Sequence, residues 1–165
     1  MTWRGTTTVP DRIFASLPYL LPVIEVITFQ LKTCLRSGSC FLIDFPIVGS
    51  AVGKLSLLVE IYNVPYAGII IFFALFLLVV RNEKINHFIR FNTMQAILLN
   101  IIIFLFSILT NIVGVVPGGG FAIQTLATTI FLGVVGVVVY SVGQSAFGRY
   151  AEIPAISDAV YMQVR

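Results

Sequence analysis

A stretch of 58 residues without one Asp, Glu, Lys or Arg runs from Phe91 to Gly148. A second uncharged stretch, of 20 residues, runs from Ile61 to Val80. Charged residues make up only 10% of the 165-residue chain, whereas soluble domains contain roughly 25%. A soluble fold of this size could not cover its surface with so few charges, and disordered chains are rich in charge. We therefore expect an integral membrane protein with helical spans.

Prolines, glycines and charges mark where the last three spans end. The second span, about 61–80, stops at the charged sequence Arg81-Asn82-Glu83-Lys84. The third, about 91–116, stops at Pro117-Gly118-Gly119-Gly120, because proline ends a helix and glycine allows a tight reversal. The fourth, about 121–147, follows directly, so the third and fourth spans should form a hairpin.

The first span, about 13–31, is less regular than the others. Pro18 and Pro22 should kink it, and Glu25 lies on the same face. Glu25 either lies near an interface or is a buried carboxylate facing a cavity or a polar partner. Residues 46–60 have an apolar helical stripe but contain Lys54 and Glu60, so we expect an amphipathic or re-entrant helix there.

Together these patterns predict an all-α membrane protein. Residues 1–165 should form a single integral membrane domain with four transmembrane helices and one amphipathic or re-entrant helix between the first two. With four spans, both termini and the second loop lie on one side. That side holds seven of the ten Lys and Arg residues and the other holds three, which predicts termini on the cytoplasmic or stromal side. The seven are Arg4, Arg12, Arg81, Lys84, Arg90, Arg149 and Arg165; the three are Lys32, Arg36 and Lys54.

Polar residues inside the third span are candidates for function. Thr93, Asn100 and Ser107 recur every seven residues, and Asn111 continues their face. Such residues either hydrogen-bond to neighbouring helices or line a path through the membrane. In the fourth span, Gly133, Gly136 and Gly143 lie on one seam with Tyr140, which predicts close helix packing.

The sequence contains no constellation typical of an enzyme. Cys34 and Cys40 are the only cysteines and His87 is the only histidine, which is too few for a zinc site. The cysteines either form a disulfide or remain two free thiols. Without a nucleophile–base pair, a phosphate loop or a clustered basic face, we expect no catalytic, cofactor-binding or metal-binding residues, no cofactor and no nucleic-acid partner.

Three motifs together resemble a known family. They are Arg90-Phe91-Asn92-Thr93-Met94-Gln95-Ala96 at the start of the third span, Ser16-Leu17-Pro18-Tyr19-Leu20-Leu21-Pro22 in the first, and a tail that reads Tyr150-Ala151-Glu152-Ile153-Pro154 and ends Val160-Tyr161-Met162-Gln163-Val164-Arg165. These resemble the Tic-twenty family, the twenty-kilodalton subunit of the chloroplast inner-envelope protein translocon. Residues 1–12 do not read as a transit peptide, so the resemblance is to the cyanobacterial or plastid-encoded type.

The resemblance implies a four-helix membrane subunit of a protein import machinery that contributes to the protein-conducting path. It implies a location in the chloroplast inner envelope or the cyanobacterial plasma membrane, with both termini on the stromal or cytoplasmic side. The implied partners are membrane lipids, other translocon subunits, translocating precursor proteins and further copies of the chain. Two alternatives remain open: a small channel or solute transporter, and a non-conducting scaffold or assembly factor.

The matched motif also supplies candidate residues. Arg90 could anchor at anionic headgroups. Asn92 and Gln95, three residues apart, could either hold a neighbouring helix or line the inner mouth of a passage.

Overall fold

A computed structural model describes residues 7–37, 46–114, 118–154 and 156–164, and every regular element in these ranges is helical. Within these ranges, three helical segments are long and apolar enough to cross a membrane, and a bent pair of helices can supply a fourth span. The expected all-α membrane fold is confirmed.

The first crossing segment is a helix with a change of pitch at its prolines. Helix α1 (Val9–Ser16) begins at a capping box in which the Thr8 hydroxyl and the Asp11 carboxylate each bind the other's backbone N–H. A 3-10 turn follows over Leu17–Tyr19, and α2 then runs over Leu20–Ser37. The 3-10 turn lies at Pro18, as expected where proline removes a backbone donor.

The region before the second loop contains three helices. Helix α3 covers Pro46–Lys54, α4 covers Ser56–Tyr62, and α5 covers Ala67–Leu75 before a π-helical turn over Phe76–Val80. The expected uninterrupted helix over 61–80 is wrong, because α4 and the segment Ala67–Val80 meet at an angle of 92°.

Local chemistry explains this break. Pro65 has no backbone N–H and disfavours helical geometry in the residue before it. The Asn63 side-chain amide donates to the Val59 carbonyl at 2.9 Å, and Tyr66 adopts a left-handed backbone with φ of 68°. The segment beyond the break has nine α-helical and five π-helical residues. At roughly 1.5 Å per residue it spans no more than about 21 Å, less than the roughly 30 Å of a hydrocarbon core.

The last two spans are close to their expected bounds. Helix α6 runs over His87–Val113 and starts before the expected residue 91, because the Asn86 side chain accepts the Phe88 N–H at 3.1 Å and caps the helix. Helix α7 runs over Gly120–Ala146. Pro117, the expected helix stop, lies outside the described residues, and Gly118 takes a positive φ of 83° in the turn before α7.

The first span, and not the hairpin, organises the core. Helix α2 packs against both α6 and α7, and these contacts are more extensive than those between α6 and α7. The core between the three helices is apolar. Its members include Ile24, Ile27, Leu99, Ile103, Ile130, Val134 and Val138.

Large apolar side chains also cover the outer surface, as expected of helices that face lipid. Exposed members are Ile69, Ile70, Phe73, Leu77 and Leu78 on α5 and its π turn, Phe104, Leu105, Ile108 and Ile112 on α6, and Leu132 and Val139 on α7. The short helix α8 (Ser157–Gln163) folds back under α6, where Val160 and Val164 pack with Phe91, Met94 and Ile97.

The left-handed backbone at Tyr66 yields the first prediction. Tyr66→Gly should be more stable than Tyr66→Ala by roughly 0.5–1 kcal/mol, because a side chain costs more than glycine in this conformation. Thermal unfolding of both variants in detergent measures the difference. At Ala74, inside α5, Ala74→Gly should instead destabilise by about 1 kcal/mol. Equal stability of the two Tyr66 variants would contradict the prediction.

Candidate functional site

Four buried polar side chains meet where the first span, α6 and α7 come together. We call Tyr19, Asn92, Gln95 and Ser145 the polar node. The Tyr19 hydroxyl lies 3.1 Å from both Asn92 Oδ1 and Gln95 Oε1, between which it shares its proton. The Ser145 hydroxyl donates to Asn92 Oδ1 at 2.9 Å. Asn92, Gln95 and Ser145 are 0% exposed and Tyr19 is 1% exposed, so the node is excluded from lipid and from water.

The four members of the node come from three helical segments. Asn92 and Gln95 lie three residues apart on α6 and share a face, while Tyr19 is held in the 3-10 turn. The amide nitrogens are also satisfied: Asn92 Nδ2 donates to the Phe88 carbonyl at 2.8 Å, and Gln95 Nε2 donates to the Ala151 carbonyl at 2.9 Å. The last bond connects the tail to the node, so both amides are engaged in contacts within the protein.

Arg90 is also inside the protein and not at its surface. Its side chain is 8% exposed, and Nε donates to the Val80 carbonyl at 2.8 Å. Val80 is the last residue of the π turn, whose end carbonyls lack helical partners. Arg90 therefore fastens the end of the short span to the start of α6.

A second polar region, here called the polar cavity, lies between α2, the α4–α5 break and α6. Its volume is about 650 Å³, and it is lined by polar residues and by aromatic walls. Half-buried Glu25 interacts with the Tyr62 hydroxyl, and Asn100 Nδ2 lies 3.5 Å from the same hydroxyl. Of the two alternatives for Glu25, the structure favours the one in which the carboxylate faces a cavity and a polar partner. The lining residues are Glu25, Thr28, Lys32, Tyr62, Asn63, Val64, Pro65, Tyr66, Gly68, Ile69, Phe72, Phe73, Asn100, Ile101 and Phe104.

The remaining polar residues of α6 lie nearer its other end. Asn111 Oδ1 accepts a hydrogen bond from Arg36 Nη1 at 2.9 Å. The Arg36 guanidinium also lies so close to Gly114 that a Cβ there would come within 2.6 Å of it. Ser107 is half-buried, and its carbonyl accepts the Thr110 hydroxyl. The polar residues that recur along this face of α6 therefore do not form one continuous lining. Asn100 faces the cavity, whereas the Asn111 side chain is hydrogen-bonded to Arg36 of α2.

The glycine seam of α7 has no neighbouring helix in the described part of the chain. A Cβ built on Gly133, Gly136 or Gly143 would meet no atom within 4 Å beyond the backbone of its own helix. Gly133 and Gly136 are exposed, so the packing expected of this seam is not made within the described residues.

Similarity to known proteins covers almost the whole chain. The family model described as "Chloroplast import apparatus Tic20-like" matches residues 7–160. The chain belongs to the Tic20 family, which confirms the resemblance to Tic-twenty.

Curated Tic20 relatives come from cyanobacteria and plastids. The chain is 41% identical to "Tic20 family protein" of Synechocystis, covering 100% of this chain and 99% of that protein. It is 33% identical to "Tic20 family protein Ycf60" of Gracilaria, covering 95% and 76%. It is 29% identical to "Protein TIC 20-II, chloroplastic" of Arabidopsis, covering 98% and 80%.

Some residues of both regions were missed by sequence reasoning. Tyr19 and Ser145 complete the node, and Tyr62 bridges Glu25 to Asn100. The signal available was their polarity within apolar spans, because a hydroxyl in a lipid-embedded helix needs a partner. Which partner it finds depends on helix packing that no single segment encodes.

The node yields the second prediction. Tyr19→Phe should destabilise this Tic20 protein by about 1–2 kcal/mol, because Gln95 Oε1 would be left buried without a donor. Unfolding by denaturant in detergent measures the loss. Tyr140→Phe makes the same chemical change on the exposed surface of α7 and should be nearly neutral. A Tyr19→Phe protein as stable as Tyr140→Phe would contradict the structural role of the node.

Proposed function

We propose that this chain is a membrane subunit of a protein import machinery and has no enzymatic activity. The observation that carries the proposal is the match to the import-apparatus family over residues 7–160, together with relatives that align over nearly the full chain. A subunit of such a machinery lies in a membrane, which agrees with the helices of this chain that are long and apolar enough to cross one. The proposed location is the chloroplast inner envelope or the cyanobacterial plasma membrane.

The proposed partners are other translocon subunits, membrane lipids, translocating precursors and further copies of the chain. The core between α2, α6 and α7 is filled by apolar side chains such as Ile27, Ile103 and Val134. A polypeptide could not cross there without separating the helices. We therefore propose that any conducting path runs along the outside of this core, on the polar-cavity side, and is completed by other subunits.

Sidedness is also part of the proposal, with both termini on the stromal or cytoplasmic side. The seven-to-three distribution of Lys and Arg supports it. Cys34, near the end of α2, is disulfide-bonded, which favours an oxidising compartment on the opposite side. Cys40 lies outside the described residues.

Single-cysteine labelling tests the sidedness. With Cys34 and Cys40 replaced by serine, Asp158→Cys on α8 and Leu35→Cys on α2 place exposed thiols at opposite ends of the molecule. An impermeant maleimide should label position 158 only from the stromal or cytoplasmic side and position 35 only from the other. The reverse pattern would overturn the orientation, and labelling of both from one side would overturn the four-span topology.

Site-specific photocrosslinking tests the function. A photoreactive residue at Tyr66, which is 75% exposed at the polar cavity, should crosslink to an arrested precursor or to a translocon partner. The same residue at Leu132, exposed on α7, controls for contacts with the general lipid-facing surface. If position 66 crosslinks to neither a precursor nor a partner, or no better than position 132, the import role of this face is refuted.

A further inference from the structure

The polar cavity contains chemistry that helix packing does not explain. Glu25 is half-buried in the first span, where an unpaired carboxylate is costly and usually marks a functional site. Among the described residues its polar neighbour is the neutral Tyr62 hydroxyl, and no cationic side chain there forms an ion pair with it.

Two further oxygens of the cavity residues lack partners. Thr28 is 4% exposed and Asn100 is 8% exposed, and among the described residues neither Thr28 Oγ1 nor Asn100 Oδ1 has a hydrogen-bond partner. A buried acceptor left unpaired costs about 1–3 kcal/mol. Both oxygens are themselves inaccessible to a ligand in the cavity, so the lining residue that favours a positively charged donor is Glu25.

The cavity walls distinguish between kinds of cation. Among the described residues, no group of three or more His, Cys, Asp or Glu side chains could hold a metal ion. The cavity instead has a volume of about 650 Å³ and opens to the outer surface, where its lining includes the exposed Phe73 and Phe104 beside the half-buried Phe72. Aromatic faces attract organic cations, and an apolar space with a few convergent polar groups is typical of an organic ligand site.

Lysine 32 also lines the cavity and has to be considered as an internal counter-ion. It is exposed and follows Glu25 by seven residues, about 10.5 Å along the helix axis. Neither residue forms an ion pair within the described ranges, so the Glu25 carboxylate is open to an external cation.

We propose that the polar cavity binds a basic side chain of a peptide, with Glu25 as its counter-ion and the aromatic walls around its aliphatic stem. This inference rests on the proposed function, because a translocon subunit encounters extended peptides in the membrane. The break between α4 and α5 forms one rim, where Asn63, Pro65 and Tyr66 line the opening. Helix ends of this kind recur at binding sites within membranes.

Peptide binding to the purified full-length protein tests the inference without translocation. The protein is placed in phosphatidylcholine nanodiscs, and fluorescence anisotropy compares a labelled peptide containing one lysine with the same peptide containing norleucine. Norleucine keeps the aliphatic stem and removes the charge. The lysine peptide should bind about tenfold tighter or more, the effect expected of a charge-assisted hydrogen bond. Equal binding of the two peptides would overturn the proposal.

Matched variants assign the preference to Glu25. Glu25→Gln should abolish the lysine preference, whereas Glu25→Asp, which keeps the charge, should retain most of it. Glu60→Gln makes the same change at an exposed position of α4 outside the cavity lining and should leave the preference intact. Loss of the preference in Glu25→Asp, or its persistence in Glu25→Gln, would refute the assignment.

A lipid competitor distinguishes a peptide ligand from a lipid amine, and a comparison with the crosslinking result separates this inference from the proposed function. Displacement of the lysine peptide by phosphatidylethanolamine in the disc would assign the cavity to a lipid amine and overturn the peptide assignment. Lysine-selective binding without any crosslink from position 66 to a precursor or a translocon partner would leave the cavity inference standing while the import role fails. Crosslinking from position 66 without lysine selectivity would support the import role and overturn the cavity inference.

Discussion

The hydrogen bonds from Tyr19 to the α6 amides hold this structure together at its most buried point. In a hydrocarbon environment water cannot satisfy an amide, so Asn92 and Gln95 can be accommodated only where the protein supplies partners. The first span supplies one through Tyr19, α7 supplies another through Ser145, and the tail supplies the Ala151 carbonyl. Apolar packing alone would allow the helices to slide or rotate, whereas these directional bonds fix their register.

Hydrogen bonding also explains why the polar residues of α6 have different roles. Those near its start are paired completely and are inaccessible, as Asn92 and Gln95 show. Asn100, two turns further on, has an oxygen that finds no partner in the described part of the chain, and it lines the same cavity as Glu25. Amide side chains on one helix therefore differ in role, because the neighbouring helices supply hydrogen-bond partners to some of them and not to others.

Much of the fold followed from local sequence, and the exceptions have physical causes. The uncharged run from Phe91 to Gly148 correctly indicated two helices because apolar length and a Pro-Gly turn are local signals. The break at Tyr62–Ala67 was hidden by the apolar composition around Pro65. The role of Arg90 was not predictable, because its partner is a carbonyl left open by the π turn at Val80. The charge of Arg90 alone favoured a headgroup contact, because the open carbonyl at Val80 exists only once the π turn has formed.

The short segment Ala67–Val80 has a consequence for the surrounding bilayer. Helices α6 and α7 have 27 residues each and reach about 40 Å, whereas the segment beyond the α4–α5 break reaches about half that length. A short hydrophobic segment is matched by local thinning of the bilayer, by snorkelling of flanking residues or by association with other helices, and α7 needs none of these. The mismatch therefore lies on one flank of the molecule. That flank also contains the polar cavity, so the Glu25 carboxylate lies on the same side of the molecule as the mismatch.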